Sequence, residues 1–271
     1  MNFINKSAEE LKAFAKEYNK EYTTADPFPN IYFDNFFVPE RLKEVLAEFP
    51  DLTKGADLKF NDPNQVKLAS KGEYRFGEKT KEFMHYLNSQ PFLEFLSELT
   101  GIENLIPDPF YDGGGCHQIQ PGGMLKIHAD FNKHPKTKLD RRINVLVYLN
   151  EDWHEEYGGH FELWDQEMQG VRKKILPLFN RMAMFSTTST SYHGHPNPLT
   201  CPPDRTRKSL ALYYYTNGRP EEEVVDHTQD HNTIFKYRKE DKGSKFKTNL
   251  KEAVRLITPP ILLKGFGKLR S

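Results

Sequence analysis

The sequence predicts an α+β protein, helices first and then a β-sandwich or jelly roll. Three observations predict this: the first hundred residues carry apolar side chains at helical spacing, residues 116 to 215 break into short apolar or alternating runs separated by Gly, Pro, Asn and Asp, and no internal repeat interrupts the order.

Residues 7 to 20 form the first expected helix. Ser7 stands at its N-cap with Glu10 three positions later, and Leu11, Phe14, Ala15 and Tyr18 fall on one stripe. A second helix runs from Pro39 to Phe49, where Leu42, Val45, Leu46 and Phe49 recur at helical spacing. A third spans 79 to 99 in two pieces broken near Pro91. The expected strands are Cys116 to Gln120, Leu125 to Ala129, Ile143 to Leu149, His160 to Trp164, Arg181 to Phe185 and Lys208 to Tyr215, with turns at Gly113 to Gly115, Pro121 to Gly123 and Gly158 to Gly159. Beyond Arg219 the chain becomes charged, with helical segments near 231 to 240 and 246 to 256. The chain reads as one domain over 1–271: helical support over 1–100, a β core over 101–218, and a charged helical extension over 219–271.

Lys+Arg and Asp+Glu are both 38, so no net charge draws the chain to nucleic acid or an anionic membrane. Twenty Phe and 13 Tyr supply ample material for a core. Cys116 and Cys201 are the only cysteines, which excludes a zinc site built on cysteine pairs and reads as two reduced thiols. The N-terminal residues hold no apolar run of signal-peptide length, and Leu256 to Leu263 is short and interrupted by Pro259 and Pro260. A cytoplasmic protein is the expectation.

The sharpest local feature is His128-Ala129-Asp130 at the end of an expected strand. Period-two alternation puts both side chains on one face, where an imidazole nitrogen and a carboxylate oxygen can bind one ion. On its own such a tripeptide is more often a hydrogen-bonded pair than a metal site. A second histidine from a distant strand would complete a two-His, one-carboxylate set that leaves positions open, as in non-haem Fe(II) oxygenases. Candidates stand in Ser191-Tyr192-His193-Gly194-His195-Pro196.

Arg207 opens the last expected strand. Alternation there separates Arg207, Ser209, Ala211 and Tyr213 from Lys208, Leu210, Leu212 and Tyr214. The second set is an apolar face suited to packing on helices. The first places a guanidinium, a hydroxyl and a phenol together, which suits charge-assisted anchoring of a planar dicarboxylate. The plainer alternative is an arginine at a strand start that points to solvent.

In order, His-x-Asp, a strand ending Tyr148-Leu149-Asn150, the Gly158-Gly159 hairpin, a distal His and Arg207-x-Ser209 resemble the prolyl-4-hydroxylase-like branch of the 2-oxoglutarate/Fe(II) oxygenase superfamily over roughly 115 to 216. The resemblance implies a double-stranded β-helix core, Fe(II) and 2-oxoglutarate as cofactor and cosubstrate, and O₂ consumed with an acceptor, releasing succinate and CO₂. His128 and Asp130 would be metal ligands. The third would be His193, which follows the aromatic Tyr192 as the family's distal histidine does, with His195 as the alternative. Arg207 would bind the far carboxylate of 2-oxoglutarate, with Ser209 beside it and Tyr148 adding a hydroxyl. Arg207 lies further from the distal histidine than in typical members, which leaves Arg205 as a rival. Gln120 stands where many relatives have a cosubstrate-contacting Tyr, and either donates a hydrogen bond or merely ends its strand. Asp130 is intact where halide-transferring relatives carry a small residue, so hydroxylation is the expected outcome.

Other residues read blandly. Trp153, Trp164, Phe161 and Tyr213 to Tyr215 are core, His134, His154 and His160 are surface histidines, and Cys116 lacks a base partner for nucleophilic work. Two rival readings use the same residues: a cupin-like metalloenzyme without 2-oxoglutarate, and a non-catalytic jelly-roll binding module. The acceptor is not legible, because one fold hosts peptide, amino-acid and small-metabolite substrates. The segments expected to choose it, 51 to 77 and 131 to 140, read as charged and irregular.

Overall fold

A computed structural model describes residues 3–220, Glu223, 230–241, Gly243, Phe246 and Thr248. The helices form where the spacing predicts them: α1 (Ala8–Thr23), α2 (Pro39–Ala47), the single turn α3 (Leu52–Gly55), α4 (Glu78–Leu87) and α5 (Gln90–Thr100). Ser7 and Glu10 close a capping box on α1, Ser7 Oγ accepting from Glu10 N at 3.2 Å and Ser7 N donating to Glu10 Oε2 at 2.7 Å. Pro91 sits in the first turn of α5, where its missing N–H costs nothing, so the break becomes a fresh helix start.

Among the described residues thirteen strands form one antiparallel sheet that curls into a nearly closed, jelly-roll-like barrel. They are β1 (Asn30–Asp34), β2 (Leu58–Asp62), β3 (Gln65–Ala69), β4 (Ile106–Pro107), β5 (Gly115–Ile119), β6 (Met124–Ala129), β7 (Asp140–Tyr148), β8 (Phe161–Trp164), β9 (Val171–Ile175), β10 (Arg181–Ser186), β11 (His193–His195), β12 (Arg207–Thr216) and β13 (Ile234–Phe235). Spatial order runs β1-β10-β7-β12-β5-β3-β6-β11-β8-β9, with β2 on β3, β4 on β12 and β13 on β6.

Alternation along β7, β10 and β12 divides the molecule. Val145, Val147, Met182, Met184, Leu210, Leu212 and Tyr214 face outward and share one core with Leu11, Phe83, Phe92, Phe95 and Leu99 of the helices. Each such side chain, fully buried, contributes about 1.5–3 kcal/mol. Tyr148, Ala183 and Phe185 face inward and meet Phe161, Leu163 and Ile175 from β8 and β9, which closes the two halves of the barrel on each other.

Two expectations are corrected. The helix near 231 to 240 is instead the short strand β13, which pairs with Ala129 and His128 of β6, followed by a 3-10 turn at Lys239–Asp241; β3 pairs with β6 only at Met124 and Leu125, so the far end of that edge is open, and pairing there overrides local helical spacing. The charged stretch inside 51 to 77 is not irregular: β2 and β3 form a hairpin that inserts between β5 and β6. The helix expected at 246 to 256 lies outside the described residues. Among the described residues no helix is long and apolar enough to cross a membrane.

Candidate active site

His128 closes β6, Asp130 follows it, and His193 opens β11 directly opposite His128 in the antiparallel register. The pairing carries these side chains to one place, with ring centroids 4.4 Å apart and one donor atom from each of the three residues within 4.8 Å of the others. His128 Nδ1 lies 2.9 Å from Lys126 O and His193 Nδ1 lies 2.9 Å from Ser191 O. A carbonyl only accepts, so both Nδ1 atoms carry the proton and both Nε2 atoms keep a free lone pair. Those Nε2 atoms each stand 3.5 Å from an oxygen of Asp130. Two imidazoles, each with its Nδ1 held by a carbonyl, and a carboxylate converge in a donor set that fits a divalent transition metal and leaves further positions for other ligands.

The electrostatics agree with that donor set. Burial alone would raise the Asp130 carboxyl, but Arg141, His193 and His128 outweigh it and hold it well below the usual carboxylate range. Burial, with His128 acting in the same sense, pushes His193 down to about 3. Asp130 is therefore an anion and His193 neutral at physiological pH. Arg141 Nη2 and Asn144 Nδ2 donate to Asp130 Oδ2 at 2.8 and 3.1 Å. The Arg141 guanidinium in turn lies 3.4 Å from the Tyr213 ring centroid and 4.4 Å from that of Phe131.

Deeper in the barrel, Arg207 is buried on the inward face of β12. Its Nε donates to Gly159 O at 2.8 Å and its Nη2 to the Tyr148 hydroxyl at 3.4 Å, with no carboxylate paired to it among the described residues. Ser209, the next inward residue, stands opposite Tyr148 and His117. The rival Arg205 instead donates to the carbonyls of Glu151 and Asp152 in an outer loop. His195 is 4% exposed, burial and then the charges of Arg207, Lys67 and His128 hold it well below the usual imidazole range, and neither ring nitrogen has a hydrogen-bond partner among the described residues.

Gln120 does not join this group. It is exposed in the turn after β5, where its carbonyl accepts from Gly123 N, and strand parity aims the neighbouring Ile119 inward instead. The side chain of β5 that does face the barrel is His117, opposite Ser209, which alternation back from Ile119 would have found. His134, expected at the surface, is buried with Nε2 3.3 Å from Asp108 Oδ1. Cys116 is buried and its thiol pushed up to about 12 by burial, in keeping with no nucleophilic role. A cavity of about 180 Å³ opens onto His128 and Asp130 between the β2–β3 hairpin, His117, Arg141 and Tyr213.

Residues 114–215 match the sequence model of the 2OG-Fe(II) oxygenase superfamily. No curated protein matches the chain. Among solved structures it is similar to a Pseudomonas putida prolyl-4-hydroxylase, at 16% identity over 75% of this chain and 100% of that one with a TM-score of 0.55. It is similar to a prolyl hydroxylase from Trichoplax adhaerens in complex with a hypoxia inducible factor oxygen degradation domain peptide fragment, at 18% identity over 82% and 96% with a TM-score of 0.56. HygX from Streptomyces hygroscopicus with nickel and 2-oxoglutarate bound gives 11% identity over 80% and 96% with a TM-score of 0.51. At these identities the structural likeness is one of fold.

Proposed function

Since the chain belongs, through residues 114–215, to the 2OG-Fe(II) oxygenase superfamily and is a 2-oxoglutarate-dependent oxygenase, we propose that it hydroxylates a C–H bond of an acceptor, with His128, Asp130 and His193 holding the iron. The observation that carries the ligand assignment is the pair of Nδ1–H bonds to Lys126 O and Ser191 O, which leaves both Nε2 lone pairs turned toward Asp130. Bound iron with 2-oxoglutarate supplies the oxidation: one atom of O₂ enters the acceptor C–H bond, the other enters succinate, and CO₂ leaves.

The remaining work belongs to the chain. Backbone carbonyls fix the tautomer and angle of each imidazole, and Arg141 with Asn144 fixes the carboxylate. Arg207, Ser209 and Tyr148 receive the far carboxylate of 2-oxoglutarate. In support, Arg207 is a buried guanidinium whose protein partners are all neutral, an arrangement that costs stability until an anion arrives. His195 joins them as a further donor to the cosubstrate, the role that best accounts for two buried ring nitrogens without partners. Phe185 and Phe161, 4.4 and 5.6 Å from the His193 ring, keep water from that side of the site.

The test is anaerobic titration of the purified protein with Fe(II) and 2-oxoglutarate, followed by O₂ and succinate quantification. A visible metal-to-ligand band and succinate formation are expected, and His128→Ala and Asp130→Ala should each abolish both. Normal turnover by either variant would sink the ligand assignment. No band and no succinate from folded, iron-replete protein would sink the function.

A further inference from the structure

The β2–β3 hairpin lies outside the segment that matches the superfamily, yet it forms one wall of the cavity at the candidate metal site and brings a lysine into it. Lys67 projects into this space beside His117, Arg141 and Tyr213, with His128 and Asp130 behind them. No carboxylate among the described residues pairs with its ammonium. Two acids act on it through space. Asp130 is already engaged by Arg141 and Asn144, and Asp62 is turned into the hairpin, where its Oδ1 accepts from the N–H groups of Asn64 and Gln65 at 2.8 and 3.2 Å. Burial lowers Lys67 to about 8, so it is still mainly a cation at neutral pH.

Its Nζ lies 5.0 Å from the Phe60 ring centroid, a contact that does not neutralise the charge, and a half-buried ammonium without a carboxylate is unfavourable unless an anion arrives to meet it. The cosubstrate does not balance it. With the far carboxylate of 2-oxoglutarate on Arg207, the two charges of the iron are met by Asp130 and the near carboxylate, and Arg141 and Lys67 remain as surplus positive charge around the cavity. Among the described residues that line the cavity, Asp130 is the only carboxylate. At about 180 Å³ the cavity is also smaller than the roughly 300–1,000 Å³ common for ligand sites, so it admits a small molecule.

From an ammonium without a carboxylate partner, the cavity size and the surplus charge we infer that the acceptor is a small organic acid whose carboxylate is anchored by Lys67. The inference rests on the oxygenase reading above, and Lys67 acts in it as a specificity determinant.

The test is anaerobic calorimetry on the full-length protein loaded with Fe(II) and 2-oxoglutarate. The probes are the free L-amino acids and short-chain mono- and dicarboxylic acids, each beside its primary amide. At least one acid is expected to bind at millimolar concentration or below, with its amide weaker by about ten-fold or more. Lys67→Met should erase that preference and Lys67→Arg retain much of it, while the affinity for 2-oxoglutarate stays within about two-fold in both. Acid and amide binding alike, a preference that survives Lys67→Met, or binding by no acid in the panel while 2-oxoglutarate binds normally would each overturn the inference and leave the oxygenase reading standing. A fall in 2-oxoglutarate affinity in Lys67→Met would move Lys67 to the cosubstrate and overturn it as well. Failure of the wild type to bind 2-oxoglutarate would overturn the oxygenase reading itself, and the inference with it.

Discussion

Arg141 Nη2 lies 2.8 Å from Asp130 Oδ2, and the arginine is fully buried. Two charges withdrawn from water in this way are stable as a pair and costly apart. The aromatic faces of Tyr213 and Phe131 add to the hold on the guanidinium, and Asn144 adds a second donor to the carboxylate. Asp130 is thereby fixed in charge and in direction before any ion binds.

Arg141→Met therefore leaves a buried carboxylate uncompensated. We expect a loss of about 3–5 kcal/mol in urea unfolding of metal-free protein. Saturating Mn(II) should recover part of it, because the ion supplies the positive charge that the variant lacks. A loss below about 1 kcal/mol, the worth of an exposed ion pair, would contradict the account.

Gly159 holds Arg207 in place through its carbonyl, and it does so with no room for a side chain. A Cβ there would lie 2.6 Å from Leu199 Cδ2 and 3.0 Å from Arg207 Cδ, whereas a Cβ at Gly158 would meet nothing within 4 Å. Both glycines have positive φ, and Gly158, at φ 67° and ψ −147°, lies where glycine alone is at ease, so alanine at either costs about 1–3 kcal/mol of backbone strain. Only Gly159→Ala should also displace the guanidinium and weaken 2-oxoglutarate binding, by about ten-fold in calorimetry. Equal affinities in the two variants would detach Arg207 from cosubstrate binding.

The contrast between legible and illegible parts of this molecule is physical. The placement of His128, Asp130 and Arg207 was readable because alternation holds at the end of β6, beyond the register shift between Leu125 and His128, and along β12 as far as Tyr214, so parity in sequence is there parity in space. Arg141 was not. A register shift at Tyr214/Tyr215 sets Tyr215 opposite Arg141 and leaves Arg142 as the extra residue, so the side chain that simple alternation from Asn144 would send outward points inward. Lys67 was hidden for a different reason: β3 is short, polar and flanked by charge, and it becomes a strand because β5 and β6 leave a gap that it fills. Gln120 failed by one position, since a motif alignment fixes the order of residues but the last hydrogen-bonded pair of β5 fixes which of them faces the barrel.

The strand carrying His128 is strapped from behind. Asp241 Oδ1 accepts from Lys126 Nζ at 2.5 Å, and its Oδ2 accepts from Arg238 Nε at 2.8 Å, while Phe235 pairs with His128 across β13 and β6. Burial would raise the Asp241 carboxyl, but Arg238 and Lys126 outweigh it and hold it below its ordinary value. A carboxylate depressed in the folded state stabilises fully above its unfolded pKa, about 3.9, and that contribution disappears as pH falls through the lower folded value. Asp241→Asn should therefore be less stable than wild type at pH 7, with a difference that shrinks as urea unfolding is repeated from about pH 5 down to about pH 2. A difference constant with pH would show that the charge of Asp241 is not what stabilises the strap.

His195 offers the sharpest separation of function from stability. Both of its ring nitrogens are buried without a partner among the described residues, and each such group costs about 1–3 kcal/mol relative to a satisfied one. An apolar side chain of similar size removes that cost, so His195→Leu should unfold at higher urea concentration than wild type when no cosubstrate is present. The same change deletes the donor proposed for 2-oxoglutarate, and its affinity should fall by about ten-fold. Metal affinity, measured by calorimetry with Mn(II), should not move, because His193 and not His195 converges with His128 and Asp130. Loss of metal binding in His195→Leu would make His195 the distal ligand in place of His193. Unchanged 2-oxoglutarate affinity in a stabilised variant would leave the imidazole as a cost of the fold that the cosubstrate does not relieve.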